Sequence, residues 1–308
     1  MYYQDLKGEK KMLSKRDYGI KKLQEIEPDL LCPHCGESLI SKGKQLFCNN
    51  QHTFDVARQG YLNLAPQHYE KNYTKALFEA RQIIMGNLEL YEGLYSALLE
   101  ILETEAANVE NIRLLDLGTG EGSHLQLLYN KWINYYPKSN PNFIGLDLAK
   151  EGIITAAKYY ENPLWLVADL SHIPLEDGSI DGVITILSPS NYEETKRVLK
   201  EETGWFIKII PGREYLKELR ERVLPEQQVA HDSSETLSRF QNHFQYSYKK
   251  ETYYRRMPIE IDNLRLLIKM TPLMWHVDED TIDQIISEVN KITIDLVILF
   301  AVNTKNKL

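Results

Sequence analysis

The chain has 308 residues, 43 % of them hydrophobic and 26 % charged, the proportions of an ordinary globular protein with enough length for one large domain or two moderate ones. It has no apolar run long enough to span a bilayer, and the opening Met1-Tyr-Tyr-Gln-Asp-Leu-Lys lacks the apolar stretch of a signal peptide. The expectation is therefore a cytoplasmic protein with no membrane partner. A formal net charge of −8 argues against a broad electrostatic footprint for nucleic acid and leaves only local basic faces to consider.

Residues 1–30 form a polar, charged extension in which a short helix or a mobile segment is expected. Lys10, Lys11, Lys15 and Arg16, then Lys21 and Lys22, read as solvated faces. A ribbon over 31–66 follows. Cys32-Pro-His-Cys35, a gap of twelve residues, and Cys48-Asn-Asn-Gln-His52 contain all three cysteines of the chain. Cys32, Cys35, Cys48 and His52 supply the four soft or borderline ligands of a closed tetrahedral zinc site, so a structural metal is expected and not a catalytic one. His34 is the rival fourth ligand. It sits inside a Cys-x2-Cys loop, which usually points its side chains outward, so His52 is preferred. Gly36 and Gly43 permit the tight turns of such a knuckle. A segment this small needs a staple of this kind to fold.

Alternating apolar residues from Phe54 to Leu64 suggest a strand or extended linker closed by Pro66. The rest of the chain, 67–308, reads as one domain with leading helices over 67–110. The first is expected over about Lys71–Asn87 and the second over about Glu92–Glu105, both with apolar residues at helical spacing.

From Ile112 the pattern alternates strand and helix. Strands are expected at Ile112–Leu117, Asn142–Asp147, Leu164–Ala168, Ile180–Leu187 and Trp205–Ile210, and helices at Ser123–Asn134, Lys150–Tyr160, Tyr192–Lys200 and Glu214–Val223. This alternation is the signature of a doubly wound parallel sheet. The first strand ends in Asp116-Leu-Gly118-Thr119-Gly120-Glu-Gly122-Ser123-His124. Three glycines spaced by two differ from the dinucleotide fingerprint. They fit the first motif of Rossmann-like (class I) methyltransferases, which bind S-adenosylmethionine (AdoMet). The second strand ends in Asp147-Leu148, where a ribose-binding carboxylate should fall, and the third in Asp169-Leu170, where an acid can accept from the adenine amino group. Successive strand-end acids behind a glycine turn point to AdoMet and not to simple caps.

After the fourth strand, Ser188, Pro189, Ser190 and Asn191 stand where such enzymes place acceptor-facing residues; a plain proline-containing turn explains them equally. Further strands are expected at Phe244–Tyr254 and Ile292–Val302, with helices at Glu260–Met270 and Thr281–Val289. Lys249, Lys250, Arg255 and Arg256 are interleaved with Tyr246, Tyr248, Tyr253 and Tyr254, which could stack bases or pack a strand.

Taken together, the residues resemble the bacterial 23S rRNA guanine-N1 methyltransferases of the RlmA type. The resemblance is carried by the ribbon ligands, Phe54-Asp55, Gly60-Tyr-Leu-Asn-Leu64, Ala80-Arg81, Tyr91, Leu94, Leu115–Gly122 and Gly145-Leu-Asp147. It continues in Pro211-Gly-Arg213, Leu216, Glu218-Leu219, Met270-Thr-Pro272 and Trp275. It implies a zinc module that helps hold an rRNA hairpin, a domain that methylates guanine N1, and Arg81 and Arg213 on the substrate side. A homodimer is allowed but not specified. The chain departs from the pattern in the short stretch His68–Lys75, in Lys200-Glu-Glu-Thr-Gly204 before the fifth strand, and after Pro189. These acceptor-side departures keep two alternatives open: a small-molecule methyltransferase on the same scaffold, or a non-catalytic zinc- and AdoMet-binding protein. The sequence names no catalytic base.

Overall fold

The computed structural model describes residues 2–4, 10–65, 73–87, 90–105, 112–244 and 248–304. In chain order, β1 (Tyr2–Gln4) and β2 (Lys10–Met12) pair as an antiparallel hairpin, followed by α1 (Lys15–Ile26). Strands β3 (Ile40–Lys42), β4 (Gln45–Phe47) and β5 (Thr53–Asp55) form the small antiparallel sheet of the ribbon. Next come β6 (Leu62–Asn63) and the leading helices α2 (Lys75–Asn87) and α3 (Glu92–Glu105). The expected Pro66 stop and the first residues of the α2 prediction lie outside the described residues.

The alternating segment follows the sequence reading closely: β7 (Arg113–Leu117), α4 (Ser123–Tyr135), β8 (Asn142–Asp147), α5 (Lys150–Tyr159), β9 (Leu164–Val167), β10 (Gly182–Ile186), α6 (Tyr192–Val198), β11 (Trp205–Pro211) and α7 (Lys217–Val223). Then come α8 (Glu226–Val229), α9 (Ser234–His243), β12 (Tyr248–Pro258), α10 (Ile261–Met270), α11 (Glu279–Glu288) and β13 (Lys291–Val302).

One eight-stranded sheet runs in the order β12-β13-β11-β10-β7-β8-β9-β6. β7 pairs in parallel with both β8 and β10, so the strand order reverses there, and that reversal opens the crevice in which doubly wound folds bind ligands. The sheet is not parallel throughout. β13 runs antiparallel to β11, and β12 antiparallel to β13. This is the Rossmann-like α/β fold with an N-terminal ribbon that the sequence reading expected, carrying an antiparallel edge.

A core lies on each face of the sheet. One joins α3, α4, α10 and α11 through residues such as Leu98, Trp132, Leu267 and Ile285. The other joins α1, the ribbon and α9 through Leu23, Ile26, Leu46, Phe54 and Phe240. The N-terminal segment is therefore built into the fold over α1. Leu23 and Ile26 are fully buried, and Lys15 donates to the backbone carbonyls of Ala157 (3.1 Å) and Lys158. Lys22, expected on a solvated face, is buried and paired with Glu25 at 3.2 Å.

Two C-terminal readings need correction. Helix α9 was not anticipated, because only Phe240 of its ten residues is buried. The strand expected over Phe244–Tyr254 begins four residues later. Phe244 instead ends α9 and packs on Phe206, Tyr192 and Phe240. Tyr246 lies outside the described residues.

Candidate cofactor, acceptor and metal sites

In the ribbon, the backbone turn after Cys32 brings the Gly36 and Cys35 amides onto the Cys32 carbonyl, and Gly36 takes φ +74°. The Cys48–His52 turn closes similarly through Gln51, whose amide donates to the Cys48 carbonyl at 3.0 Å. The ligand atoms of Cys32, Cys35, Cys48 and His52 all lie within 4.8 Å of one another. Cys35 Sγ is 3.6 Å from Cys48 Sγ, and His52 Nδ1 is 3.5 and 3.4 Å from the Cys32 and Cys48 sulfurs. A tetrahedron with zinc–sulfur and zinc–nitrogen bonds of ordinary length has edges of about 3.6–3.8 Å, so the four donors fit a zinc ion. His34 stands outside this set; its ring stacks on Phe54 at 5.7 Å and lies tilted to the His52 ring at 5.0 Å.

At the crevice, Gly118, Gly120 and Gly122 take φ of +77°, +60° and +80°. Those dihedrals favour glycine, and the space does too: a Cβ on Gly118 would lie 2.4 Å from Ser188 Oγ, and one on Gly122 would lie 2.4 Å from the Trp165 ring. The loop is tied to the next strand through the Gly118 and Thr119 amides, which donate to the Leu146 carbonyl. Asp147 accepts from the Gly120 amide at 2.8 Å and the Ala149 amide at 2.7 Å. A carboxylate has about four acceptor positions, so roughly two remain for a ligand. Burial raises the Asp147 pKa, against those two donors. Among the described residues Thr119 Oγ1 is buried without an aligned hydrogen-bond partner, and the buried Glu121 carboxylate has only the Arg81 guanidinium, at 2.9 Å. A cradle of positive-φ glycines, unfilled polar atoms and a carboxylate with free lone pairs fits the amino acid and ribose ends of AdoMet.

Asp116 is buried at the end of β7, and its pKa is pushed up to about 7, chiefly by burial and further by the Asp147 and Glu121 carboxylates. A raised folded-state pKa means that the folded protein holds a proton the unfolded chain releases. Asp116 should therefore cost stability progressively as pH rises from about 4 to about 7, by on the order of a few kcal/mol. Urea unfolding of ligand-free protein should show Asp116→Asn gaining stability relative to wild type across that window. Parallel pH dependences of the two proteins would sink the assignment.

The other residues expected at the cofactor separate into two groups. Ser123 and His124 commit their side chains to the protein: Ser123 Oγ lies 2.9 Å from Tyr160 Oη, and His124 Nδ1 lies 2.8 Å from Tyr95 Oη. His124 is buried, and burial followed by the Arg81 charge holds its pKa well below the usual histidine range. Leu148 and Leu170 are half-buried; Asp169 is exposed, with Oδ1 accepting from the Ser171 amide at 2.8 Å.

On the acceptor side, Leu187 takes φ +56° and turns the chain out of β10. Ser188 Oγ donates to the Leu117 carbonyl at 2.7 Å, fixing this turn against the glycine strand. Pro189 is exposed, Ser190 Oγ lies 3.3 Å from Thr185 Oγ1, and Asn191 caps α6 by accepting from the Glu194 amide. Arg213 is exposed beyond the end of β11, and its carbonyl receives the His231 amide. Arg81 does not line the cavity beside this turn. It lies on the glycine loop, its Nε 2.9 Å from Glu121 and its Nη1 3.4 Å from where a Cβ on Gly120 would stand.

Sequence reasoning missed two residues here. Glu121 is buried inside the glycine motif and pairs with Arg81. Lys208, 3 % exposed in the middle of β11, donates to the Ser188 carbonyl at 3.1 Å and to Ser190 Oγ at 2.7 Å. A single lysine inside the apolar run Trp205–Ile210 is the signal that could have found it.

Comparison with known proteins adds an independent line. Residues 30–72 match a family model described as "RlmA, N-terminal", a zinc ribbon, and residues 115–204 match one described as "Methyltransferase domain". The chain is 34 % identical over 273 residues to a Bacillus subtilis (strain 168) protein named "Putative 23S rRNA (guanine-N(1)-)-methyltransferase YxjB", covering 87 % of this chain and 95 % of that protein. It is 28 % identical over 265 residues to the Streptomyces fradiae "23S rRNA (guanine(748)-N(1))-methyltransferase", covering 84 % and 90 % respectively. Both matches therefore take in most of this chain and most of the relative.

Proposed function

The chain belongs to the RlmA-type 23S rRNA (guanine-N1)-methyltransferase family, and we propose that it transfers the methyl group of AdoMet to N1 of a guanine in 23S rRNA. It is an AdoMet-dependent methyltransferase carrying a zinc ribbon. The observation that carries the rRNA acceptor is the span of the likeness, 87 % of this chain and 95 % of a relative's length, in a chain that carries the RlmA-type ribbon at residues 30–72 ahead of the methyltransferase domain. A cytoplasmic location and an rRNA hairpin as partner follow from that reading. Among the described residues no helix is long and apolar enough to cross a membrane.

AdoMet, when bound, supplies a methyl group on a sulfonium that is already activated for displacement. The protein's part is then mostly positioning. In this reading the loop Gly118–Gly122 cradles the amino acid end and Asp147 takes the ribose hydroxyls. Asp169, exposed beyond β9, accepts from the adenine. The Ser188–Asn191 turn, tied to the glycine strand through Ser188, sets the acceptor base against the methyl. Ser188 has committed its proton to the Leu117 carbonyl, so its Oγ has only lone pairs left for a further partner. Those suit the N–H donors on the Watson–Crick edge of guanine. The base must be unpaired or flipped to reach them.

Asp147→Ala should weaken AdoMet binding by about 1–3 kcal/mol, the usual effect of leaving buried polar groups unpaired, with Asp147→Asn falling between. Calorimetry giving equal affinities would remove Asp147 from the ribose site. The function itself is tested with labelled AdoMet and 23S rRNA from cells lacking the protein, the modified base being mapped by mass spectrometry. Label at one guanine N1 is the expected result. AdoMet binding without transfer to RNA would favour a small-molecule acceptor.

A further inference from the structure

Beside the acceptor turn lies a cavity of about 420 Å3, lined among others by Lys208, Arg239, His231, Ser190, Ser233 and Thr236. Its floor is β11 and α9 carries one wall. The chemistry of the lining is one-sided. It offers two permanent or near-permanent cations, an imidazole and five hydroxyls, and no carboxylate among its lining residues, in a chain whose net charge is −8.

Lys208 is the centre of this arrangement. Its side chain comes off a buried strand and uses two of three N–H donors on Ser188 and Ser190. Among the described residues neither Lys208 nor Arg239 has a carboxylate within ion-pair distance. The Tyr192 ring holds both: the Lys208 ammonium and the Arg239 guanidinium each lie 5.9 Å from its centroid. Burial, and then the Arg239 charge, pushes the Lys208 pKa down to about 8, which leaves it mainly cationic at neutral pH. A buried cation without a counter-charge is costly unless an anion completes it.

Resting on the RNA-acceptor reading above, we propose that this cavity is a phosphate site which takes a backbone phosphodiester next to the methylated guanine, with Lys208 and Arg239 as its charged donors. The same lysine holds the acceptor turn, so engagement of the phosphate and placement of the base are mechanically joined. Cationic side chains on a phosphate fix register without reading sequence, and a fixed register is what a single-site modification enzyme requires. The ligand class is a phosphate group, and its two sources, RNA backbone and free phosphate, are separable.

The test uses the zinc-loaded full chain in two arms. In the first, inorganic phosphate is titrated and followed by 31P line broadening. Wild type should bind, K208R should retain binding, and R239Q should bind at least fivefold more weakly with AdoMet affinity unchanged. In the second, binding of a 23S rRNA fragment is measured against salt. R239Q should lower the slope of log K against log salt by about 0.7–0.9, the value for one lost phosphate contact. Equal phosphate titrations for wild type and R239Q overturn the site. Phosphate binding that R239Q weakens, with an unchanged salt slope on RNA, overturns the phosphodiester assignment. Phosphate binding lost in R239Q, in a protein that neither binds nor methylates rRNA, keeps the pocket and overturns the guanine reading instead. Arg239 is exposed, so its variant is not expected to misfold.

Discussion

Replacing Cys48 by serine should strip zinc from the protein and melt the ribbon. Cys48 is 3 % exposed, and its sulfur stands 3.6 Å from Cys35 Sγ and 3.4 Å from His52 Nδ1, one of the four ligand atoms that lie within 4.8 Å of one another. Structural zinc contributes about 10–16 kcal/mol to small zinc modules, because the metal binds the folded form and not the chain. The three short strands β3–β5 cannot supply that from their own core. The loss should spread, since Leu39, Leu46 and Phe54 share a core with Leu23 and Ile26 of α1. Metal analysis should fall from about one zinc per chain to near zero. Amide exchange over 31–56 should accelerate by orders of magnitude, and a strong chelator should reproduce both effects in wild type. Full zinc content with native protection in Cys48→Ser would refute the four-ligand site.

The ribbon was legible because its chemistry is local: four donors at fixed spacing specify a metal with no tertiary information. The alternating sheet was legible for a similar reason. Strands buried on both faces read as short apolar runs, so Asn142–Asp147 was placed to the residue. Pairing partners were not. That β13 would insert beside β11 and run antiparallel depends on contacts nearly one hundred residues apart, Trp205 against Val302. Helix α9 escaped because it is a mostly polar helix whose buried edge is Leu237, Phe240 and Phe244, a spacing of three and four that is visible only once Phe244 is taken out of a strand. Arg81 was assigned to the substrate side from resemblance alone. Its position on the glycine loop depends on how α2 folds back over the sheet, which no local pattern encodes. Lys208 was overlooked for the opposite reason: periodicity marks a strand as buried and passes over the one residue in it that buries a charge.

Arg81→Met is expected to destabilise the protein by about 3–5 kcal/mol, the effect of leaving one charge of a buried pair uncompensated. Glu121 is fully buried, and its carboxylate is 2.9 Å from the Arg81 Nε with no aligned hydrogen bond elsewhere among the described residues. Arg81 itself is partly exposed, so its own loss of solvation contributes less than the stranded carboxylate. Adding Glu121→Met should therefore restore most of the stability, to within about 1 kcal/mol of wild type in denaturant unfolding, because apolar side chains of similar size often replace buried ion pairs without loss. The same double variant separates two roles. If the pair only braces α2 on the sheet, AdoMet affinity returns together with stability. The guanidinium stands against Gly120 beside unfilled acceptor and donor groups, which suits the carboxylate end of AdoMet, so the expected result is a stable protein whose AdoMet affinity stays at least about tenfold weaker, a deficit of roughly 1.4 kcal/mol. Recovery of both would make Arg81 a strut. Recovery of stability alone would place the Arg81–Glu121 pair in the cofactor site, and it would explain why a buried glutamate interrupts the glycine motif: Glu121 holds the arginine in place until the cofactor arrives.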